Sequence, residues 1–203
     1  MVSKTPKLTN SQLKRIAILT ASRAEFIANG FNGASMDRIA LSANVSKRTV
    51  YNHFPSKEVL FDATTSELWT RIKQATTLVF DPQQPLEAQL EQIATRSWAL
   101  YQQDDFLALS RVMMGEFIHS PKLATETMER LAVQEGGLEA WLAEAVAHKA
   151  LKIDDISLAT TQFWGLFKAF SFWPKVFHMR NHDDHQAAII HANITMFLAL
   201  YRA

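Results

Sequence analysis

Residues 42–61 read SANVSKRTVYNHFPSKEVLF. Asn44 falls where a short helix must stop and the chain reverse. Asn is the best substitute for Gly in the left-handed conformation such a stop needs. Ser46 follows as an N-cap acceptor, which puts Val45 and Val50 at the two positions of a hydrophobic staple. Thr49 stands where a capping box would carry Glu or Gln, so the box is incomplete. Two short helices joined by such a turn make a helix-turn-helix unit.

The faces of the helix expected over 47–53 decide its use. At about 100° per residue, Val50 and Phe54 share one side and should pack inward. Arg48, Thr49 and Asn52 point the opposite way, with Lys47 and Tyr51 on one shoulder and His53 on the other. Each of these outward side chains can hydrogen-bond and none is acidic. A helix lying in a DNA major groove requires this: donors for phosphates at its edges and side chains that reach base edges in its middle.

The rest of the chain has helical spacing and no strand alternation, so an all-α fold is expected. Leu13, Ile16, Thr20, Ala24, Ile27 and Phe31 should form the inward face of a first helix that Gly30 and Gly33 end. Ser35 can cap a second helix that turns Met36, Ile39, Ala40 and Ala43 inward. Ser56 can cap a long fourth one. Asp81-Pro82 and Pro85 break the chain before helices over about 86–102 and 104–118. Pro121 opens another to about 149, kinked at Gly136-Gly137. A helix over about 155–178, kinked or ended by Pro174, precedes a last one. About nine helices result, three in an N-terminal helix-turn-helix head over 1–56 and the rest in a larger C-terminal helical bundle over 57–203.

Of 203 residues, 48% are hydrophobic, six are Gly and none is Cys, which is a globular composition without disulfides or thiolate chemistry. The start, MVSKTPKLTN, lacks an apolar signal core, and no apolar run has membrane-spanning length. A cytoplasmic protein with no membrane partner is expected. The net charge of +1 hides an asymmetry. Residues 1–61 hold nine Lys/Arg against three acids, a balance of +6, whereas 62–203 hold twelve against seventeen, a balance of −5. A basic head on an acidic body points the head at a polyanion.

The run from about Arg15 to Ala63 resembles the N-terminal DNA-binding domain of the TetR/AcrR family of transcriptional regulators. Several motifs recur in order: F-x-x-x-G-F-x-x-x-S from Phe26 to Ser35, Ile39-Ala40, V-S-x-x-T-x-Y-x-H-F from Val45 to Phe54, and S-K-E-x-L from Ser56. Asn44 and Arg48 stand where Gly is frequent in the family. Asn44 keeps the conformational role, and Arg48 adds a long donor that bears on operator choice. The resemblance implies that Lys47, Arg48 and Tyr51 read base edges. It also implies that Ser35, Thr49, Tyr51, His53 and Lys57 grip phosphates. The helical projection adds Asn52.

Family members dimerise through their last two helices and house a small-molecule effector in the helical core. Beyond residue 63 the chain is similar to AcrR-like C-terminal domains through RVMMGEF and FWGLFKAFSFWP. Seven aromatics between 163 and 177 leave Gly165, Ala169 and Val176 on a smaller-residue face. Such a helix suits burial against both its own core and a partner. Ile190, Ile194, Phe197 and Tyr201 repeat that theme in the last helix, for which an intramolecular core is the alternative. Trp98, Tyr101, Met113, Met114, Phe117, Phe163 and Phe167 are the effector-binding candidates. An apolar or aromatic effector is expected, with Arg111, Glu116 and Lys168 available to select a charge.

His178, His182 and His185 lie beside Asp183 and Asp184, but their context reads as an inter-helix connection, so neither metal nor other cofactor is assigned. No catalytic motif is visible. The expected function is a ligand-released regulator, a repressor, that binds a near-palindromic double-stranded operator as a homodimer. The alternatives are an all-helical enzyme or a protein-binding adaptor using the aromatic core.

Overall fold

The computed structural model describes residues 8–132, 137–180 and 182–203, with the side chains of 128–132 left aside. The head begins with α1 (Asn10–Gly33), opened by a capping box in which the Gln12 amide donates to Thr9 Oγ1 at 3.2 Å and the Thr9 amide to Gln12 Oε1 at 2.8 Å. Gly30 breaks the helix with φ 65°, a conformation that favours glycine. Next come α2 (Met36–Ser42), α3 (Lys47–His53) and the long α4 (Lys57–Thr76), whose N-caps are Ser35, Ser46 and Ser56. The body continues with α5 (Leu86–Leu100), α6 (Asp104–His119), α7 (Pro121–Ala132), α8 (Gly137–Ala147), α9 (Ile156–Ser171), the short α10 (Trp173–Val176), a single 3₁₀ turn at Asp183–His185 and α11 (Gln186–Tyr201).

Eleven α-helices thus stand among the described residues where about nine are expected from the spacing. Of the expected helix over 121–149, α7 and α8 are the described parts; the kink expected at Gly136-Gly137 falls at 133–136, which lie outside the described residues. Pro174 ends α9 and begins α10, because its ring is tolerated in a first turn and not within a ladder.

The inward face of α1 also differs from expectation. Ile18, Ala21, Ser22 and Phe26 are buried, while Leu13 and Ile16 stay 52% and 49% exposed and Thr20 and Ala24 face outward. The reason is Ser22, which spacing by apolarity passes over. Its hydroxyl lies 2.7 Å from Thr64 Oγ1 in a buried hydrogen bond, so α4 seats against the small residues of α1. Phe26 then meets Phe61 edge-on at 5.0 Å.

Two hydrophobic clusters result. The first ties α1–α3 to α4, the end of α5 and α6, and includes Phe26, Ile39, Val50, Phe54, Phe61 and Phe106. The second is built by α5, α8, α9 and α11 around Trp98, Trp141, Phe163, Phe167, Ile194 and Phe197. Ile190 and Tyr201 also pack there, so the apolar stripe of α11 is intramolecular core. A backbone bond from Lys152 to the Tyr201 carbonyl, 2.8 Å, ties the chain's end to the α8–α9 connection.

Candidate nucleic-acid interface and effector core

The turn between α2 and α3 forms as its residues require. Asn44 has φ 52°, its amide donates to the Leu41 carbonyl at 3.1 Å, and the Val45 amide donates to the Ala40 carbonyl at 3.0 Å. This is a Schellman stop with Asn in the left-handed position. Ser46 Oγ then accepts from the Thr49 amide at 3.1 Å, while Val50 is buried and Val45 half-buried in the first cluster. The corner therefore fixes the angle at which α3 leaves the head.

Lys47, Arg48, Tyr51 and Asn52 are exposed on α3, and Thr49 and His53 half-buried at its flanks. Among the described residues Arg48 has no hydrogen bond or ion pair. The Lys47 ammonium sits 2.8 Å and 3.1 Å from the two carboxylate oxygens of Asp37 on α2, an acid that the α3 face alone does not reveal. That hydrogen bond raises the Lys47 pKa.

Two of the expected phosphate contacts also build the head. Ser35 Oγ accepts the Asp37 amide at 3.2 Å as the α2 cap. Lys57 Nζ donates to the carbonyls of Asn32 and Ala34, both at 3.3 Å, and lies 4.7 Å from the centre of the Phe31 ring. One of its three N–H donors remains for another acceptor. Behind them Glu25 accepts from Arg38 Nε at 2.8 Å and from the Ser35 amide at 3.0 Å. The Arg38 hydrogen bond holds the Glu25 carboxyl below its ordinary pKa despite the opposing effect of burial.

An ion-pair chain connects head to body. Arg23 of α1 pairs with Glu67 of α4 at 2.7 Å and approaches Asp105 of α6 at 3.8 Å, while Arg71 of α4 holds Asp105 at 3.0 Å.

In the body the seven effector candidates do not form one lining. Tyr101, Met113 and Phe117 belong to the first cluster, Trp98, Phe163 and Phe167 to the second, and Met114 is half-buried outside both. Trp98 donates Nε1–H to Asp183 Oδ1 at 3.1 Å. Burial raises the Tyr101 pKa. Of the three charge-selecting candidates, Arg111 is bonded to the carbonyls of Val176 and Lys175 at 2.9 Å and 2.7 Å. Lys168 is half-buried and, among the described residues, has neither hydrogen bond nor ion pair; loss of hydration lowers its pKa. Trp69 Nε1 and Thr160 Oγ1 are buried and, among the described residues, have no hydrogen-bond partner, and neither residue stands out in the sequence.

Asp183 is the anchor of the histidine-rich connection. It also accepts from Gln102 Nε2 and Lys175 Nζ, each at 2.7 Å, while the His182 ring lies edge-on to Phe170 at 5.7 Å. Among the described residues no group of three or more His, Asp or Glu side chains could hold a metal ion.

α9 and α11 turn a second, uncharged face outward. On α11 it includes Ala188, Ala192, Met196 and Leu200, and on α9 Leu158, Gly165 and Ala169. α11 contains no Lys, Arg, Asp or Glu at all. No helix among the described residues is long and apolar enough to cross a membrane.

The head and body each match a family model. Residues 18–64 match the bacterial regulatory proteins of the tetR family, and residues 88–203 match the C-terminal domain of AefR-like transcriptional repressors. The chain belongs to the TetR family. It is a TetR-family transcriptional regulator with an AefR-like C-terminal domain, in a family of regulators rather than enzymes. A TetR-family regulator from Pseudomonas syringae pv. tomato str. DC3000 is 38% identical, with a TM-score of 0.77 over 96% of this chain and 99% of that one. The flavonoid-responsive regulator FrrA is 28% identical, with a TM-score of 0.75 over 93% of this chain and 97% of that one. The regulator UidR of Escherichia coli K12 is 47% identical over 55 residues, which span 27% of this chain and 28% of UidR. The transcriptional activator FasR of Mycolicibacterium smegmatis is 27% identical across 74% of this chain and 72% of its own length.

Proposed function

We propose that this TetR-family regulator is a homodimeric repressor that holds a near-palindromic operator and is released by a small aromatic or apolar effector. The observation that carries the reading is α3. It is a capped seven-residue helix set at a fixed angle by the Asn44 stop, with Arg48, Tyr51 and Asn52 exposed on its outer side. Two such helices in successive major grooves give the half-site spacing of a dimeric helix-turn-helix protein. Lys47, Arg48 and Tyr51 are its base-edge readers, with Ser35, Thr49, His53 and Lys57 on the phosphates. The division falls at 56/57, with α4 packing against the head as well as the body.

The uncharged outer faces of α9 and α11 support dimerisation through these helices, since unpaired charge is depleted at interface centres. The AefR-like repressor domain supports repression, and the flavonoid response of FrrA supports an aromatic effector. Arg71 and Arg23, which join α4 and α1 to Asp105 of α6, give a route by which a change in the body alters head position. Work in the cytoplasm is usual for TetR-family regulators, and the reading places this one there.

A random-site selection with the full-length protein tests the reading. A two-fold duplex motif should emerge, and Arg48→Ala should relax preference at one position per half-site, by about 1–3 kcal/mol, while leaving non-specific binding in place. Enrichment of no duplex sequence would sink it. FasR gives the second reading a footing: the same architecture serving activation, distinguished by whether a reporter behind the selected site rises or falls when the protein is present.

A further inference from the structure

Asp37 is the only acid in α2 and α3, and its side chain is 64% exposed in the first turn of α2, beside the first turn of α3. Arg38, next to it, pairs with Glu25, and among the described residues Lys47 is the one ion-pair partner of Asp37. An exposed pair of this kind adds little to stability. A carboxylate on a face that meets phosphates also costs affinity, so stability and charge give no reason for an acid here. Base edges give one. Cytosine N4 and adenine N6 point donors into the major groove, and neither an ammonium nor a guanidinium can accept from them.

The pair has the spacing of a base pair's groove edge. In a G·C pair, guanine O6 and cytosine N4 share a Watson–Crick hydrogen bond and so lie about 2.9 Å apart. Lys47 Nζ lies 2.8 Å and 3.1 Å from the two Asp37 oxygens, a donor beside an acceptor at that same separation. Laid against the groove edge, the ammonium donates to O6 and the carboxylate accepts the outward N4–H. The hydrogen bond to Asp37 Oδ2 uses one of the three N–H donors of Lys47 and leaves two for O6 and the adjacent N7.

The order of the two groups matters. Against a reversed pair, C·G, the ammonium faces the N4 donor and the carboxylate faces the O6 acceptor. A T·A pair offers O4 and N6 in the right order but puts the thymine methyl where guanine has N7. Only G·C satisfies every group.

We infer that Asp37 and Lys47 read one G·C base pair of each half-site as a unit, with guanine under the ammonium and cytosine N4 on the carboxylate. The inference rests on the reading of α3 as the groove helix, whose first residues meet base edges, and adds to it a specificity residue on α2.

Random-site selection with the full-length parent and Asp37→Ala, followed by anisotropy on the selected duplex, tests it. The parent should select a G·C pair at one position of each half-site. Asp37→Ala should weaken that preference by about tenfold, leave the rest of the motif in place, and bind random duplex more tightly because a repelling charge is gone. An equal loss of affinity for every sequence would mean that Asp37 only shapes the head, and overturns the proposal. A second arm needs no protein variant to fold. Replacing that cytosine in one half-site by N4-methylcytosine removes the outward N–H; the parent should lose about tenfold and Asp37→Ala nothing. Equal binding of the parent to both cytosines, or an equal loss in both proteins, overturns the proposal, as does a motif that Asp37→Ala leaves unchanged. A parent that selects no duplex sequence sinks the reading of α3 itself, and the pair with it.

Discussion

The Lys47 ammonium lies 2.8 Å from Asp37 Oδ1, so a cation of the recognition helix is already paired with a carboxylate of the helix before it. On the proposed reading of α3 as the groove helix, DNA competes with Asp37 for that ammonium. An exposed ion pair contributes little to stability, about 0–1 kcal/mol, but a carboxylate on the face that meets DNA also repels the polyanion whatever its sequence.

Asp37→Asn should strengthen binding to random duplex by up to about fivefold per subunit and steepen the salt dependence by about one counterion per subunit. In a Lys47→Ala background the same change should alter the slope little. Fluorescence anisotropy across a potassium chloride series checks both. An equal gain in the two backgrounds would mean that Asp37 acts as a diffuse charge and not through Lys47.

Lys149 occupies the same left-handed stop after α8 that Asn44 occupies after α2, with φ 58° and the Ala150 amide donating to the Ala145 carbonyl at 2.9 Å. A Cβ in that conformation costs about 1 kcal/mol relative to glycine. Lys149→Gly should therefore raise stability by about 0.5–1 kcal/mol in urea unfolding. Asn44→Ala should lower it by about 1 kcal/mol and also weaken operator binding, since it loosens the angle of α3.

Asp183 links the end of α5 to α10 through Trp98, Gln102 and Lys175. Asp183→Ala strands a buried indole N–H and leaves the Lys175 ammonium with Gln102 Oε1 in place of a carboxylate, at about 2 kcal/mol. Burial pushes the Asp183 carboxyl upward, but its hydrogen bonds from Lys175, Gln102 and Trp98 outweigh this and hold its pKa below the ordinary value. A depressed folded-state pKa gives stability that is fully present above the unfolded value of about 3.9 and is lost as pH falls through the folded one. Thermal melts in acid should thus fall less steeply for Asp183→Asn than for the parent protein.

Gly137 opens α8 against the C-terminal end of α4. A Cβ there would lie 2.5 Å from the Thr77 amide nitrogen and 2.7 Å from the Thr76 carbonyl oxygen, both backbone atoms that cannot swing aside. Gly137→Ala should cost about 2 kcal/mol or more by prising α8 from α4. Circular dichroism melts measure the cost. An unchanged melting temperature would show that α8 rides freely on α4.

The local part of this protein is legible in its sequence because local devices are encoded by adjacent residues. Asn44, Ser46, Val45 and Val50 specify the α2–α3 corner among themselves, and the structure forms it from those residues. The three serine caps and the Pro174 break are legible for the same reason. The inward face of α1 was not, because burial of Ser22 depends on Thr64, forty-two positions away. Nor was the fate of the aromatic set: helical spacing shows that Tyr101 and Trp98 are buried but not which cluster each joins.

The sequence by itself therefore determined a helical chain, a helix-turn-helix head and the outward side chains of α3, since each follows from the period of a helix and its caps. Only the tertiary structure decided that Asp37 holds Lys47, that Arg111 is taken up by the α10 carbonyls and that Asp183 holds Lys175. Those outcomes depend on which distant groups are brought within a few ångströms of one another, and no spacing along the chain records that.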